Sequence, residues 1–442
     1  MDNLAFARAQ MGLSLAFHIV FAVIGVAMPL LMVISEAAWL RTGERTYLDL
    51  TRRWARGTVI LFAVGAVSGT VLSFELGLLW PRFMEYAGGI IGMPFSLEGF
   101  AFFTEAIFLG IHIYGWGRVP ALVHWLSGVM VALSGLASAA FVTSANAWMN
   151  APAGFRTVQG RVVDVDPIAA MLNPAALEQI VHMALAAYAA VGFGVAGVHA
   201  SLLLRDRASG FHRRALGLAL ALGVVAIPLQ VASGDFIARM VAQRQPAKLA
   251  AMEALYRTQA GAPLTIGGLP DDEQLRVRGG VELPRLLSLL AHHDPDAVVT
   301  GLDAFPRDRW PDVRAVHLAF DVMVLCGVLL LALAVWVVWL VARRRRLSDS
   351  TWLLRSLVVA TPIGFVAIEA GWVVTEMGRQ PWIVYEVMRT AEAVTPMPWL
   401  VVPFSLFTAV YLLLSVVLIA LLRREFLSTV PMATREEAHH AA

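Results

Sequence analysis

Glu98 and Glu105, in the stretch SLEGFAFFTEAIF, stand seven residues apart, and Glu369 and Glu376 in IEAGWVVTEM repeat that spacing. Seven residues make two helical turns, so each pair shares one helix face, and Trp372 lies on nearly the same side as the second pair. Both pairs sit in apolar sequence, where a charged side chain costs on the order of 2.5–3.5 kcal/mol to insert into a bilayer. Paired carboxylates in such a setting point to proton handling or metal ligation; the structural alternative is a hydrogen bond between helices. Five histidines, His18, His112, His182, His199 and His317, also fall in apolar stretches. Lone histidines of this kind usually pack and hydrogen-bond, but His18 in LSLAFHIVFAV and His182 in EQIVHMALAAY occupy otherwise apolar faces and are ligand candidates. Met323 in HLAFDVMVLCG would by residue type be core filler. Cys326 is the sole cysteine, which excludes an internal disulfide and any cysteine-ligated cluster.

The elements that must hold these residues are membrane helices. The chain has 442 residues, of which 58% are hydrophobic and 15% charged, far below the roughly 25% charged residues of soluble domains. Nine stretches are long enough to cross a bilayer, near 11–36, 54–80, 95–116, 122–148, 176–204, 215–237, 313–341, 352–374 and 398–422. An all-α polytopic membrane protein is expected. The start, MDNLAFARAQMG, fits a cleavable signal peptide poorly, so the first helix is expected to be retained. Arginine-rich connections alternate with poorer ones, and the positive-inside bias then places the N-terminus outside and the C-terminus in the cytoplasm. Residues 1–237 would hold helices one to six, 238–312 a folded external loop, and 313–442 helices seven to nine with a short cytoplasmic tail. Lys248, the single lysine, falls in that loop. The net charge of +2 gives no reason to expect nucleic acid. Tryptophans 39, 54, 80, 116, 148, 352 and 399 sit near span ends, as interfacial anchors would.

In this topology His18, Glu98, His182, Met323 and Glu376 all fall in the outer half of the membrane. A transporter would centre its site at the midplane; clustering below an external loop suits redox groups fed from outside. A two-haem b-type electron-transfer subunit would account for the histidines but leave Glu98 and Glu376 without a role.

Four stretches together resemble one family: GWVVTEMGRQPW (371–382), SLEGFAFFTEAIFLGIHIYGW (96–116), His18 in the first span, and KLAAMEALY (248–256). They are similar to subunit I of cytochrome bd-type quinol oxidases, over essentially all nine spans. The resemblance implies a haem-containing quinol:oxygen oxidoreductase of the bacterial inner membrane. It implies His182 and Met323 as axial ligands of a low-spin haem b, and His18 as ligand of a high-spin haem with Glu98 on or near its other side. Glu376 would ligate the second high-spin haem, beside Trp372, so that one high-spin group is haem b and the other haem d or a further haem b. Lys248 and Glu253 match the residues implicated in quinol oxidation. Arg379 and Arg8 would pair with haem propionates. A subunit II, and a one-span small subunit, are the partners implied, with quinol, dioxygen and the lipid membrane. Asp321 departs from the pattern, standing where well-known members carry a basic residue.

Protons for oxygen reduction would have to cross apolar helix from the cytoplasm. Ser127, Ser134 and Ser138 share one face of the fourth span, and a relay from that face through Glu105 to Glu98 is expected; close helix packing is the other use of such small residues.

Overall fold

The computed structural model describes residues 3–159 and 161–427, so the expected cytoplasmic tail beyond 427 lies outside the described residues. Among them are nine helices long and apolar enough to cross a membrane. The first four run α1 (Asn3–Thr42), α2 (Arg45–Leu79), α3 (Pro81–Tyr114) and α4 (Ala121–Asn150). At 1.5 Å per residue α1 is about 60 Å long, twice the hydrocarbon core. α3 starts at Pro81, well before the expected 95, because only Trp80 separates it from α2 and a proline is tolerated at a helix start. A short hairpin, β1 (Arg156–Val158) with β2 (Arg161–Val163), and α5 (Pro167–Met171) lead to α6 (Ala176–Arg205) and α7 (Gly210–Arg244).

α7 continues past 237, and the segment beyond it opens with α8 (Pro246–Met252). Six short strands follow: β3 (Gln259–Ala260), β4 (Leu264–Ile266), β5 (Leu269–Asp271), β6 (Arg276–Arg278), β7 (Val281–Leu283) and, after α9 (Leu286–His292), β8 (Val298–Val299). They pair antiparallel as β3 with β8, β4 with β7 and β5 with β6, nested about the 271–276 turn; Leu264 stands opposite Leu283 and Ile266 opposite Val281. Leu249, Met252, Leu255, Tyr256 and Leu287 form this segment's own core, against Val313 and Val316 of α10 (Val313–Ala342).

The eighth span is broken. α11 (Thr351–Ala360) and α12 (Ile363–Met377) flank Thr361 and Pro362, since proline cannot continue the hydrogen-bond ladder of α11. The break packs on α6 at Gly197, where a Cβ would come within 2.1 Å of Thr361 Oγ1 and 2.5 Å of the Leu357 carbonyl. α6 also packs closely on α7, where a Cβ at Gly192 would come within 2.6 Å of the Gly223 backbone nitrogen, the close approach that small residues permit between membrane helices. After α12, β9 (Trp382–Val384), β10 (Met388–Arg389) and α13 (Thr390–Ala393) lead to α14 (Val401–Leu427), whose Leu406, Leu412, Leu413 and Val416 are exposed, as on a lipid- or partner-facing helix.

The tryptophans divide. Trp352 and Trp399 are 71% and 75% exposed, consistent with anchors, but Trp148 is fully buried and donates from Nε1 to the Ala153 carbonyl at 2.9 Å. Trp54 and Trp80 are buried as well. A tryptophan at a span end facing other helices becomes core, which position along the helix does not reveal.

Candidate functional site

Two histidines share one device. On α1, His18 Nδ1 lies 2.9 Å from Ser68 Oγ of α2, and that hydroxyl donates to the Gly65 carbonyl at 3.0 Å. On α6, His182 Nδ1 lies 2.8 Å from Ser233 Oγ of α7, whose hydroxyl donates to the Gln230 carbonyl at 2.9 Å. Each serine has its proton committed to backbone, so its oxygen accepts from Nδ1–H and leaves Nε2 as the unprotonated nitrogen. An anchored Nδ1–H with a free Nε2 is how metal-binding imidazoles are oriented. The ring of His18 needs Gly69, since a Cβ there would lie 3.0 Å from Cε1. The Gln230 amide is 2.9 Å from His182 Nε2, and its Oε1 is buried without a partner. Met323 on α10 reaches α12 at Gly371, where a Cβ would stand 3.1 Å from the sulfur.

The end of α12 carries a polar chain that runs through three helices. Glu376 accepts from Asn146 of α4 at 2.6 Å and from Arg379 at 2.6 Å. Asn150, one turn beyond Asn146, donates to its carbonyl at 3.0 Å and accepts from Lys248 Nζ of α8 at 2.7 Å. Lys248 is therefore no surface charge: it is 4% exposed. Burial, with the nearby Arg379 guanidinium, brings its pKa down to about 7, an effect Glu376 partly offsets. Arg379 is 2% exposed, and its Nε and one terminal nitrogen are buried with no acceptor. An arginine so placed fits an anionic group absent from the polypeptide itself, and a carboxylate such as a haem propionate meets that need.

Glu253, at the end of α8, is 4% exposed with Oε2 unpartnered. Burial and the neighbouring Asp321 carboxylate push its pKa up to about 8, against the Thr265 backbone N–H, which lowers it. Asp321 lies 3.3 Å from His317 Nε2, whose Nδ1 is held 2.8 Å from the Met252 carbonyl. Lys248 and Glu253 thus engage different partners on the two sides of α8. A cleft of about 560 Å³ nearby is lined by Arg8, Asp272, Trp310, Met377, Gln380 and Arg389 among others; Arg8 faces the Met377 sulfur at 3.4 Å.

On the face of α4, Ser138 donates to Glu98 at 3.2 Å. The buried Glu105 carboxyl lies against Gly135, whose added Cβ would be 3.2 Å away. Ser134 bonds its own helix at the Met130 carbonyl, and Ser127 meets His112 Nδ1 at 3.3 Å. Glu369 has Oε1 buried and unpartnered. Trp372 is half-buried against the core between α1 and α6.

Residues 6–429 match the model of one family, described as cytochrome bd terminal oxidase subunit I. The chain belongs to that family. A Bacillus subtilis protein provisionally named cytochrome bd menaquinol oxidase subunit I is 37% identical over 428 residues, covering 96% of each chain. A second Bacillus subtilis protein, cytochrome bd ubiquinol oxidase subunit 1, is 30% identical over all of this chain and 96% of its own. The bd oxidase structure from Geobacillus thermodenitrificans superposes with a TM-score of 0.91 at 40% identity, over 96% of this chain and 98% of that one. The chain is accordingly a multi-pass protein of the bacterial inner membrane and an oxidoreductase subunit of a terminal oxidase.

Asn146, Asn150, Ser68, Ser233 and Gln230 are site residues that sequence reasoning passed over. Asn146 and Asn150 alone left a trace, as two amides one turn apart at the end of an apolar span.

Proposed function

We propose that this subunit oxidises quinol at the outer face and reduces dioxygen to water with cytoplasmic protons. The N-terminus would lie outside, residues 238–312 forming the external quinol loop between two sets of membrane helices, 1–237 and 313–442. The observation that carries the reading is the polar chain from Lys248 to Glu376 and Arg379. It links a buried cation of the loop to a carboxylate and an arginine whose guanidinium lacks an acceptor.

Within this proposal His182 and Met323 hold a low-spin haem b. His18, with Glu98 near it, and Glu376, with Trp372 beside it, hold two high-spin haems, one of them haem d or a further haem b. Arg379 and Arg8 take propionates. Bound haem supplies one-electron carriage and the iron at which oxygen is reduced. The polypeptide orients the ligands through Ser68 and Ser233, accepts quinol protons at Glu253, and sets charge beside the loop with Lys248. A subunit II, with an optional one-span subunit, would complete the complex.

A reduced-minus-oxidised absorption spectrum of the purified oxidase tests the reading. Low-spin b bands with high-spin signals that shift under carbon monoxide are expected. Low-spin bands alone would point to a two-haem electron-transfer subunit, and no haem bands to a proton-coupled transporter.

Proton delivery would run along the α4 face to Glu105 and then Glu98. Glu105→Gln keeps the shape but cannot ionise, so turnover is expected to fall by about 10²–10⁴-fold while quinol still reduces the low-spin haem rapidly. Normal oxygen turnover in rapid-mixing measurements on that variant would remove Glu105 from the path.

A further inference from the structure

At the other end of the helices that carry Glu98 and Asn146, beside Ser127 of the α4 face, lies a second buried cluster to which the oxidase reading assigns no ligand. Glu36 near the end of α1, His112 in the last turn of α3 and His124 in the first turn of α4 place one ligand atom each within 4.8 Å of one another. All three are buried, at 0%, 0% and 3% exposure. His124 stands in the first turn of α4 and Asn146 in the last, about 33 Å apart along the axis at 1.5 Å per residue, so this cluster is remote from Glu376.

The hydrogen bonds around it are those of a ligand set. His124 Nε2 faces the His112 carbonyl at 2.8 Å, so Nε2 carries a proton and Nδ1 is the nitrogen left to bind. A backbone carbonyl on the far nitrogen is the usual support of a metal-bound imidazole. Nδ1 meets Glu36 Oε1 at 2.6 Å, and Glu36 Oε2 has no hydrogen bond of its own. His112 Nδ1 faces Ser127 Oγ at 3.3 Å, whose hydroxyl is committed to the His124 carbonyl at 2.5 Å, so Nδ1 carries the proton and Nε2 is the nitrogen left to bind. His112 Nε2 is likewise buried and unpartnered. Neighbouring ligands of a tetrahedral ion with bonds of about 2.0–2.1 Å lie roughly 3.3 Å apart, and the three ligand atoms here lie within 4.8 Å of one another. Trp116 covers the site, its ring 3.7 Å from that of His124.

We propose that Glu36, His112 and His124 form a binding site for a divalent transition metal, tying α1, α3 and α4 together at this end of the bundle. Two imidazoles and one carboxylate are a donor set suited to zinc, whereas magnesium and calcium take oxygen ligands. Zinc has no redox chemistry of its own, so the site staples helices rather than carrying electrons.

The intact purified oxidase, stripped with a chelator, reloaded with zinc sulfate and freed of excess, provides the test through zinc and iron content by mass spectrometry. The wild type is expected to retain zinc in a fixed ratio to the chain, and Glu36→Gln and His124→Gln to lose at least nine-tenths of it. Replacing His292, His293, His439 and His440 together should leave the content unchanged. Retention by the Glu36 and His124 variants, loss in the control, or no zinc in the wild type would each overturn the site. Should those variants fail to assemble, zinc-edge X-ray absorption of the wild type decides: two imidazole nitrogens with a carboxylate oxygen, and a water oxygen in the fourth position, support the proposal, and any other set of protein ligands refutes it.

Discussion

A His182→Ala variant is expected to lose the low-spin haem b absorption and, with it, quinol-driven oxygen consumption, while the high-spin signals persist. The imidazole would be one of two ligands holding that haem, and in the observed geometry the Gln230 amide turns its donor nitrogen, not its oxygen, toward Nε2. Met323→Leu should keep the haem but convert its spectrum to high-spin, because leucine fills the space against Gly371 without a ligand atom. Ser233→Ala separates orientation from ligation. It leaves His182 and Met323 in place and removes the hydroxyl that links Nδ1 to the Gln230 carbonyl, and retention of the haem should weaken by about 10–100-fold. An unaltered low-spin spectrum in both the His182 and Met323 variants would refute the assignment.

The second large effect is expected at Glu253. Its pKa of about 8 means that the carboxyl is protonated through the neutral range and becomes a base only as pH rises. If it takes a proton from quinol, quinol-driven turnover should climb with pH up to about 8 and then level. Glu253→Gln should abolish that climb and slow quinol oxidation by about 10²–10⁴-fold, with oxygen reduction from an artificial one-electron donor intact. Equal loss with both donors would signal misfolding. The same shift has a stability sign. Between its ordinary 4.5 and about 8 the folded protein holds a proton at Glu253 that the unfolded chain has released, so stability falls as pH rises through that window. Lys248 acts oppositely: from about 7 to its ordinary 10.5 the unfolded chain holds the extra proton, so stability rises with pH. Together the two groups place their combined minimum between pH 7 and 8.

Much of this architecture was legible beforehand. Hydropathy alone locates the nine spans, though not the ends of α3 and α7, since burial in lipid forces an apolar run wherever a helix crosses. Glu98, Glu105, Glu369 and Glu376 stood out because each carries a cost that an apolar neighbourhood cannot offset. The partners that make such residues usable come from elsewhere in the chain and look unremarkable in their own settings. Ser233 is 51 positions from His182, and Asn146 is 230 from Glu376; a serine or an asparagine in a membrane helix is ordinary until the fold shows what it faces. The burial of Lys248 was hidden for the same reason, because a single lysine in the hydrophilic insertion shows nothing of the packing of α8 on α7 and α10 that covers it. Glu36 and His124, both close to span ends, drew no attention in the sequence, and only the convergence of three helices brings them together.

The chain of contacts from Lys248 through Asn150 and Asn146 to Glu376 has a genetic consequence. Its members are linked in series, so once one link is cut the next has little left to lose. Lys248→Met and Asn146→Leu should therefore combine less than additively, where distant pairs would add within about 0.3–0.5 kcal/mol. A lesion in the 238–312 segment would then behave, in a double-mutant cycle, as an allele of the membrane site.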